Sequence, residues 1–157
     1  MEEKNSALES GQGELEKYLT FFINGQCCGL PISLVMEIIG VQKIAEVPEF
    51  PIYAKGIINL RGLIVPLIDL NLRVGYEEQE YTSKTCVIVV NVEGIEIGLI
   101  VDAVDEVLDI NYADINPPPQ SASGEADRFV SGVAVQPEKL ILLMSCEKII
   151  GDDVFEH

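Results

Sequence analysis

The sequence is poor in several groups on which common enzymatic and phosphotransfer mechanisms depend. Its one histidine, His157, is the final residue. A Ser-His or Cys-His relay needs an imidazole held within the fold, and so does phosphotransfer through histidine, so both are excluded. No glycine-rich phosphate loop precedes a predicted helix. These absences predict a protein that is not an enzyme.

Positive charge is scarce as well. The chain has 10 Lys and Arg residues against 26 Asp and Glu, which gives a net charge of −16 at pH 7. Binding to phosphate groups draws on clustered Lys and Arg, so we expect no direct binding to nucleic acid or to an anionic membrane. The partners should be proteins.

Long apolar runs are absent too. No window approaches the roughly 18 unbroken apolar residues of a membrane-spanning helix, so direct membrane insertion is not expected. Residues 1–17 are acidic and polar, without the apolar centre of a secretory signal. We therefore expect a cytoplasmic protein.

The four cysteines form no Cys-x-x-Cys pair and have no histidine nearby, which argues against a zinc site. Each lies in or beside an apolar run, a position typical of a free buried thiol. The sequence predicts neither a metal nor a cofactor. The cysteines are Cys27, Cys28, Cys86 and Cys146.

What the chain does contain is apolar residues, at 48% of 157 positions, which is enough for one domain with a substantial core. Residues 1–17 lack periodicity and predict a mobile acidic tail with a short helix near Leu15. Beyond this tail the apolar pattern begins at Tyr18 and continues to the end of a predicted helix, Cys146–Ile150, that Gly151 terminates.

Short strands account for most of this region. Asn24-Gly25 between Tyr18–Ile23 and Cys27–Leu30 predicts a hairpin, and Pro31 predicts one helical turn before a strand ending at Gly40. The prolines of residues 116–128 predict a surface loop. About nine or ten short strands with little helix favour barrels or a sandwich over a parallel βαβ sheet. Further strands are predicted at Cys86–Val92 and Ile95–Val101, joined by a turn at Glu93-Gly94, and at Val104–Ile110, Val130–Val135 and Leu140–Met144.

The most distinctive stretch is Lys55–Leu70. Two apolar strands, Ile57–Leu60 and Leu63–Ile68, flank Arg61, which should sit at the tip of a tight turn. Gly62 can supply the positive φ that such a turn requires, so the guanidinium would be held on a stiff corner. Pro66 predicts an edge or a bulge in its strand. Asp69 predicts the cap of a short helical turn.

The residues from Tyr53 to Leu70 resemble the signature of the CheW-like family, the bacterial chemotaxis coupling proteins. Other segments resemble the same family in the same order, so the resemblance covers nearly all of the chain from Tyr18 onward. These segments are Phe21–Leu30, Val35–Gly40, Ile97–Val107 and Arg128–Ile150.

The resemblance implies a mainly β fold of two five-stranded SH3-like β-barrel subdomains, interleaved and packed together, with short helical turns and a short C-terminal helix. Residues 18–151 would form this domain, between acidic tails at 1–17 and 152–157. The implied function is that of a non-catalytic adaptor without a cofactor. It would bridge chemoreceptor cytoplasmic tips to the regulatory domain of a sensor histidine kinase, in a flagellar, pilus-based or other chemosensory pathway.

The resemblance also implies two sets of site residues. Leu19, Ile32 and Val35 fall where the family offers an apolar patch to the kinase, although Ile32 and Val35 fit ordinary core positions equally well. Glu37 and Arg61 fall where the family carries a charged pair important for receptor coupling. For these two side chains we predict a charge-assisted, bidentate contact.

Three rival functions are less well supported. Asp102, Asp105 and Glu106 could pair as acid and base, but their turn-like spacing favours a solvated acidic corner. Asp69 ends an apolar strand as a phosphoacceptor aspartate would, but the long helices of a receiver are missing. A small barrel could hold a ligand, yet no polar residues converge to define such a site.

Overall fold

The computed structural model describes residues 14–118 and 126–151, and these residues are mainly β. Two short α-helices are present, α1 (Leu70–Arg73) and α2 (Cys146–Ile150), with 3-10 turns at Ile32–Leu34, Tyr112–Asp114 and Ala126–Phe129. The strands are β1 (Leu15–Ile23), β2 (Gln26–Pro31), β3 (Val35–Gly40), β4 (Ala54–Leu60), β5 (Leu63–Asp69), β6 (Cys86–Val92), β7 (Ile95–Val101), β8 (Ala103–Asn111), β9 (Ile115–Asn116), β10 (Val130–Gln136) and β11 (Lys139–Met144).

These strands form two sheets. One has six strands in the order β8-β1-β2-β11-β10-β9, and the other has five in the order β3-β6-β7-β5-β4. Along the chain, β1 and β2 belong to the six-stranded sheet, β3 to β7 form the five-stranded sheet, and β8 to β11 belong again to the six-stranded sheet. The predicted mainly β fold of two interleaved subdomains is confirmed. One sheet gains a sixth strand because the two-residue β9 pairs with β10.

The five-stranded sheet curls on itself. The chain that leaves β3 passes beside β4, where Ala45 and Ile57 exchange two backbone hydrogen bonds of 2.9 Å. The two ends of the strand order are thereby linked, as expected of a barrel-type subdomain.

The buried apolar side chains form three clusters, one associated with each sheet and one between the sheets. In β6, Val87 and Val89 belong to the cluster of the five-stranded sheet, whereas Ile88 and Val90 belong to the cluster shared by both sheets. This shared cluster, here called the interface core, explains why the central strands read as continuous apolar runs rather than alternating ones. The interface core consists of Leu19, Phe21, Ile23, Cys28, Leu30, Ile68, Leu70, Val74, Ile88, Val90, Val92, Ile97, Leu99, Val101, Phe129, Val130, Met144, Cys146 and Ile149.

Strand β1 begins at Leu15, where the sequence predicted a short helix within a tail that extended to residue 17. Leu15 pairs with Asn111, and Lys17 pairs with Asp109 across β8, with Lys17 Nζ 2.9 Å from Asp109 Oδ1. The helix prediction is wrong because the strand's hydrogen-bond partners lie far away in the sequence. Residues 1–13 of the predicted tail lie outside the described residues.

Two further predictions need correction. Asn116 belongs to β9 and Ala126–Phe129 form a 3-10 turn, so the predicted loop is shorter at both ends. Strand β5 is not an edge, since it pairs with both β4 and β7, but its recorded pairing with β7 starts only at Leu67, after Pro66. Residues 119–125 and the predicted tail 152–157 are not among those described.

Gly56 is required where the five-stranded sheet closes. Its φ is +143°, and a Cβ on this residue would lie 2.2 Å from the carbonyl oxygen of Ala45. The register of β4 against β5 also shifts between Ala54 and Gly56, so the chain bends at this point. A side chain here would meet backbone that cannot move without breaking the Ala45–Ile57 bridge.

We expect Gly56→Ala to lower the free energy of unfolding by about 2 kcal/mol or more, because it combines backbone strain with a clash. Urea unfolding followed by circular dichroism measures this change. Gly40→Ala is the matched control, since an added Cβ meets nothing within 4 Å there, and it should change stability by less than about 0.5 kcal/mol. Equal stability of the two variants would contradict this account.

Candidate functional site

Arg61 and Gly62 form the two-residue turn between β4 and β5. Their φ angles are +54° and +88°, and the flanking residues Leu60 and Leu63 pair directly across the hairpin. Two successive positive φ values are what a type I′ turn requires. Asn59 Oδ1 also accepts a 2.9 Å hydrogen bond from the backbone N–H of Gly62. The predicted placement of Arg61 at the tip of a stiff corner is confirmed.

The same turn occurs at Asn24-Gly25 and Glu93-Gly94, where the first residues have φ of +52° and +54°. Asn and Gly adopt such angles readily, whereas other side chains meet a cost of roughly 1–2 kcal/mol. Backbone geometry alone would therefore favour Asn or Gly at position 61. The turn conformation therefore does not explain the arginine at position 61.

Arg61 reaches across the end of the sheet to Glu37 on β3. Its Nη1 donates to Glu37 Oε1 at 3.2 Å, and its Nη2 donates to Glu37 Oε2. The predicted bidentate contact is thus present. Because β3 is at one end of the strand order and the Arg61 turn joins the two strands at the other end, the pair spans the mouth of the curled sheet.

Arg61 is the exposed partner of this ion pair, and Glu37 is partly buried. The side chain of Arg61 is 70% exposed and that of Glu37 is 27% exposed. The hydrogen bonds from Arg61 hold the pKa of Glu37 below its usual range, and those to Glu37 raise the pKa of Arg61. Exposed ion pairs add little to stability, because water screens them and ordering the side chains costs entropy. The consequence of this pair is therefore a defined shape and charge pattern at the surface.

The structure separates the three residues expected to bind the kinase. Leu19 is 2% exposed and belongs to the interface core. Ile32 and Val35 are partly buried and pack against that same core. Only Ile32 and Val35 can offer accessible apolar surface, and Leu19 lies in the core beneath them. Strand β1 is buried on both faces along Tyr18–Phe21, so Leu19 is enclosed. A motif position alone does not carry this information about burial.

Two exposed apolar residues beside Glu37 were missed by the sequence reasoning. Met36 and Ile38, on either side of it in β3, are 54% and 41% exposed. The alternation of β3 is the signal that could have identified them, since residues 36, 38 and 40 share one exposed face. The same alternation turns the Glu37 side chain to the other face of β3, so Met36 and Ile38 lie away from the charged pair.

The acidic residues considered as an enzyme site have structural partners instead. Asp102 accepts hydrogen bonds of 2.8 Å from the backbone N–H of Asn24 and from Nδ2 of Asn71. Lys139 Nζ lies 3.6 Å from Asp105 and 3.5 Å from Glu106. Asp105 and Glu106 fit the predicted acidic corner, but Asp102 is a bridge between distant segments.

Asp69 is a buried helix cap. It is 1% exposed, its Oδ1 accepts from the N–H of Leu72 at 3.3 Å, and its Oδ2 accepts from the hydroxyl of Tyr81 at 2.8 Å. Burial raises the pKa of Asp69, and it also raises that of Tyr81. The predicted cap is confirmed. An aspartate so enclosed lacks the access that a phosphoacceptor needs.

Residues 14–118 and 126–151 contain no group of three or more His, Cys, Asp or Glu side chains placed to hold a metal ion. Over the same ranges, no helix has the length and apolar character needed to cross a membrane.

Comparison with known proteins relates this architecture to one family. The sequence profile described as "CheW-like domain" matches residues 17–154. The chain is 31% identical over 144 residues to the chemotaxis protein CheW of Klebsiella aerogenes, covering 92% of this chain and 87% of the relative. It is 33% identical over 146 residues to CheW of Rhizobium meliloti, covering 93% and 92% of the two chains.

A solved structure agrees with these sequence matches. The crystal structure of the scaffolding protein TtCheW from Thermoanaerobacter tengcongensis superposes with a TM-score of 0.83 at 34% identity. The superposition covers 92% of this chain and 98% of that one. The similarity therefore includes the arrangement of both sheets.

We expect the Glu37 carboxyl to titrate below the ordinary glutamate value of about 4.3, because Arg61 stabilises its charged form. Since the pKa is lowered in the folded state, the pairing contributes above that ordinary value and is lost as the pH falls through the folded-state pKa. Carboxyl-carbon NMR titration measures this, and Arg61→Gln should move the Glu37 pKa upward. Identical titration in the two proteins would show that the pair does not form in solution.

Proposed function

The chain belongs to the CheW-like family, and from this premise we propose that it is a non-catalytic adaptor coupling chemoreceptors to a sensor histidine kinase. Its partners are the cytoplasmic tip of the receptor and the regulatory domain of the kinase. It acts in the cytoplasm and is recruited to membrane receptor arrays through these partners. The adaptor needs no reactive group, only surfaces held in a fixed relation.

The Glu37–Arg61 pair is the observation that carries this proposal. A bidentate ion pair at an exposed tight turn adds little to stability, and the turn itself would favour Asn or Gly at position 61. What the arrangement does provide is a rigid charged feature at the turn where the exposed apolar residues Leu63 and Ile64 begin β5. Such a feature suits recognition of a partner protein, where apolar contact and a polar rim occur together.

The apolar surface of Ile32 and Val35 is assigned to the kinase. Both residues pack against the interface core, which includes Leu19, so their positions are set by the packing of the two sheets. A surface supported in this way can dock on another protein with little loss of side-chain freedom, which favours affinity. Leu19 contributes from below by supporting the patch, and Ile32 and Val35 make the contact.

We expect Arg61→Glu to weaken receptor coupling about tenfold or more, because two carboxylates would replace an ion pair at the surface. The fold should persist, since Glu93 already occupies the same turn position with the same φ of 54°. Co-sedimentation with receptor tips and the kinase regulatory domain measures assembly. Wild-type assembly by a folded Arg61→Glu protein would remove this role.

Two further variants test whether the effect is specific to this site and to the pairing of its charges. Lys84→Glu makes the same charge change at another exposed site and should leave assembly intact. The double variant Glu37→Arg, Arg61→Glu rebuilds the pair with its charges exchanged. It restores assembly if the pair acts by shaping this surface, and it fails to do so if the partner contacts the Arg61 guanidinium directly.

We expect Ile32→Glu to weaken binding of the kinase regulatory domain by about thirtyfold or more, because a carboxylate would be desolvated in an apolar contact. Binding to the receptor tip should change much less. Isothermal titration calorimetry with each partner separately measures both affinities. Ile52→Glu serves as the control, since Ile52 is 83% exposed and lies outside the patch. Equal effects of the two substitutions on kinase binding would contradict the assignment.

A further inference from the structure

Helix α1 directly follows the strand that leaves the Arg61 turn. Its four residues run from Leu70 to Arg73, so the charged turn and α1 are the two ends of β5. Its two polar side chains, Asn71 and Arg73, contact segments that directly precede or follow strands of the six-stranded sheet. The helix is too short to contribute much by itself, and these contacts are its distinguishing feature.

Arg73 makes the first contact. Its Nε donates a 2.6 Å hydrogen bond to the carbonyl of Ile149, and its Nη2 lies 3.4 Å from the carbonyl of Lys148, both in α2. The guanidinium carbon lies 4.3 Å from the ring centre of Tyr53 and 4.9 Å from that of Phe129. Donation and stacking together hold the planar group in one orientation. Arg73 thus ties the five-stranded sheet to the helix that follows β11.

Asp102 makes the second contact, at the point where the chain crosses from β7 to β8. One carboxylate oxygen accepts from the backbone of Asn24, in the turn between β1 and β2, and the other accepts from the side chain of Asn71 in α1. The backbone N–H of Asp102 also donates to the carbonyl of Phe22 at 3.0 Å. A single side chain therefore joins a turn of one sheet to the helix of the other.

The apolar interface core restrains the two sheets through the fit of its side chains, although apolar attraction itself is non-directional. Hydrogen bonds weaken steeply when their geometry departs from linear, and a stacked guanidinium is likewise directional. The contacts of Arg73 and Asp102 therefore add a directional restraint to the packing of the core.

We infer that α1 is a coupling element that fixes the angle between the two sheets, with Arg73 and Asp102 as positioning residues for signal transfer between receptor and kinase. This inference rests on the proposed adaptor function. It assigns to these residues no contact with either partner. Their effect is on the relation between surfaces that other residues provide.

Arg73→Met tests this directly, and Lys17→Met is the control that also removes one positive charge. Lys17 Nζ lies 2.9 Å from Asp109 Oδ1, and both residues belong to strands of the six-stranded sheet, so this contact does not join the sheets. Residual dipolar couplings of backbone amides report the orientation of each sheet separately. For Arg73→Met we expect a rotated or averaged orientation between the sheets, with each sheet intact, and for Lys17→Met the wild-type orientation.

The functional readout is the change in kinase activity produced by receptor in the assembled complex. For Arg73→Met we expect this change to fall at least about fivefold, while separate binding to receptor tip and to kinase changes less than about threefold. Asp102→Ala, which removes both acceptor oxygens, should act in the same direction and gives a second, independent test should the first variant fold poorly.

Wild-type sheet orientation in both Arg73→Met and Asp102→Ala would overturn the inference. So would a loss of coupling fully explained by weaker binding to one partner. If the wild-type protein binds neither partner, the proposed function fails, whereas the dipolar couplings still decide whether α1 sets the angle between the sheets.

Discussion

The apolar core shared by the two sheets is the constraint on which the rest of the structure depends. Strands such as β6 bury both faces. One face lies in the apolar cluster of the five-stranded sheet, and the other lies in the interface core. Each fully buried Val or Ile contributes roughly 1.5–3 kcal/mol by leaving water, so the sum strongly opposes separation of the subdomains. The chain crosses between the sheets twice, which makes them one unit and gives their surfaces a common frame.

Individual polar contacts and one glycine add local, directional restraints to this apolar core. Gly56 permits the close approach that closes the five-stranded sheet, Asp102 and Arg73 link the sheets with directional contacts, and the Glu37–Arg61 pair spans the mouth of the curled sheet. None of these features requires chemistry on a bound molecule. An adaptor is well served by such a design, because its output is a geometric relation between two partners and rigidity preserves that relation.

Local patterns in the sequence predicted much of this molecule. The hairpins at Asn24-Gly25 and Glu93-Gly94, the turn at Arg61-Gly62 and the Asp69 cap are encoded by a few neighbouring residues, so they were found without the fold. The helix expected near Leu15 was wrong, because pairing of β1 with β8 overrides local preference there. The bridging role of Asp102 was missed because its partners, Asn24 and Asn71, are distant in sequence.

The sequence by itself determined the short β elements, the exposed arginine corner and the family resemblance, because each depends on residue types at close spacing. Only the tertiary structure decided that Leu19 is buried whereas Ile32 and Val35 remain partly accessible, and that α1 contacts the helix that follows the six-stranded sheet's β11. The physical reason is that burial depends on which strand lies opposite, and that choice is made by packing between segments far apart in the chain.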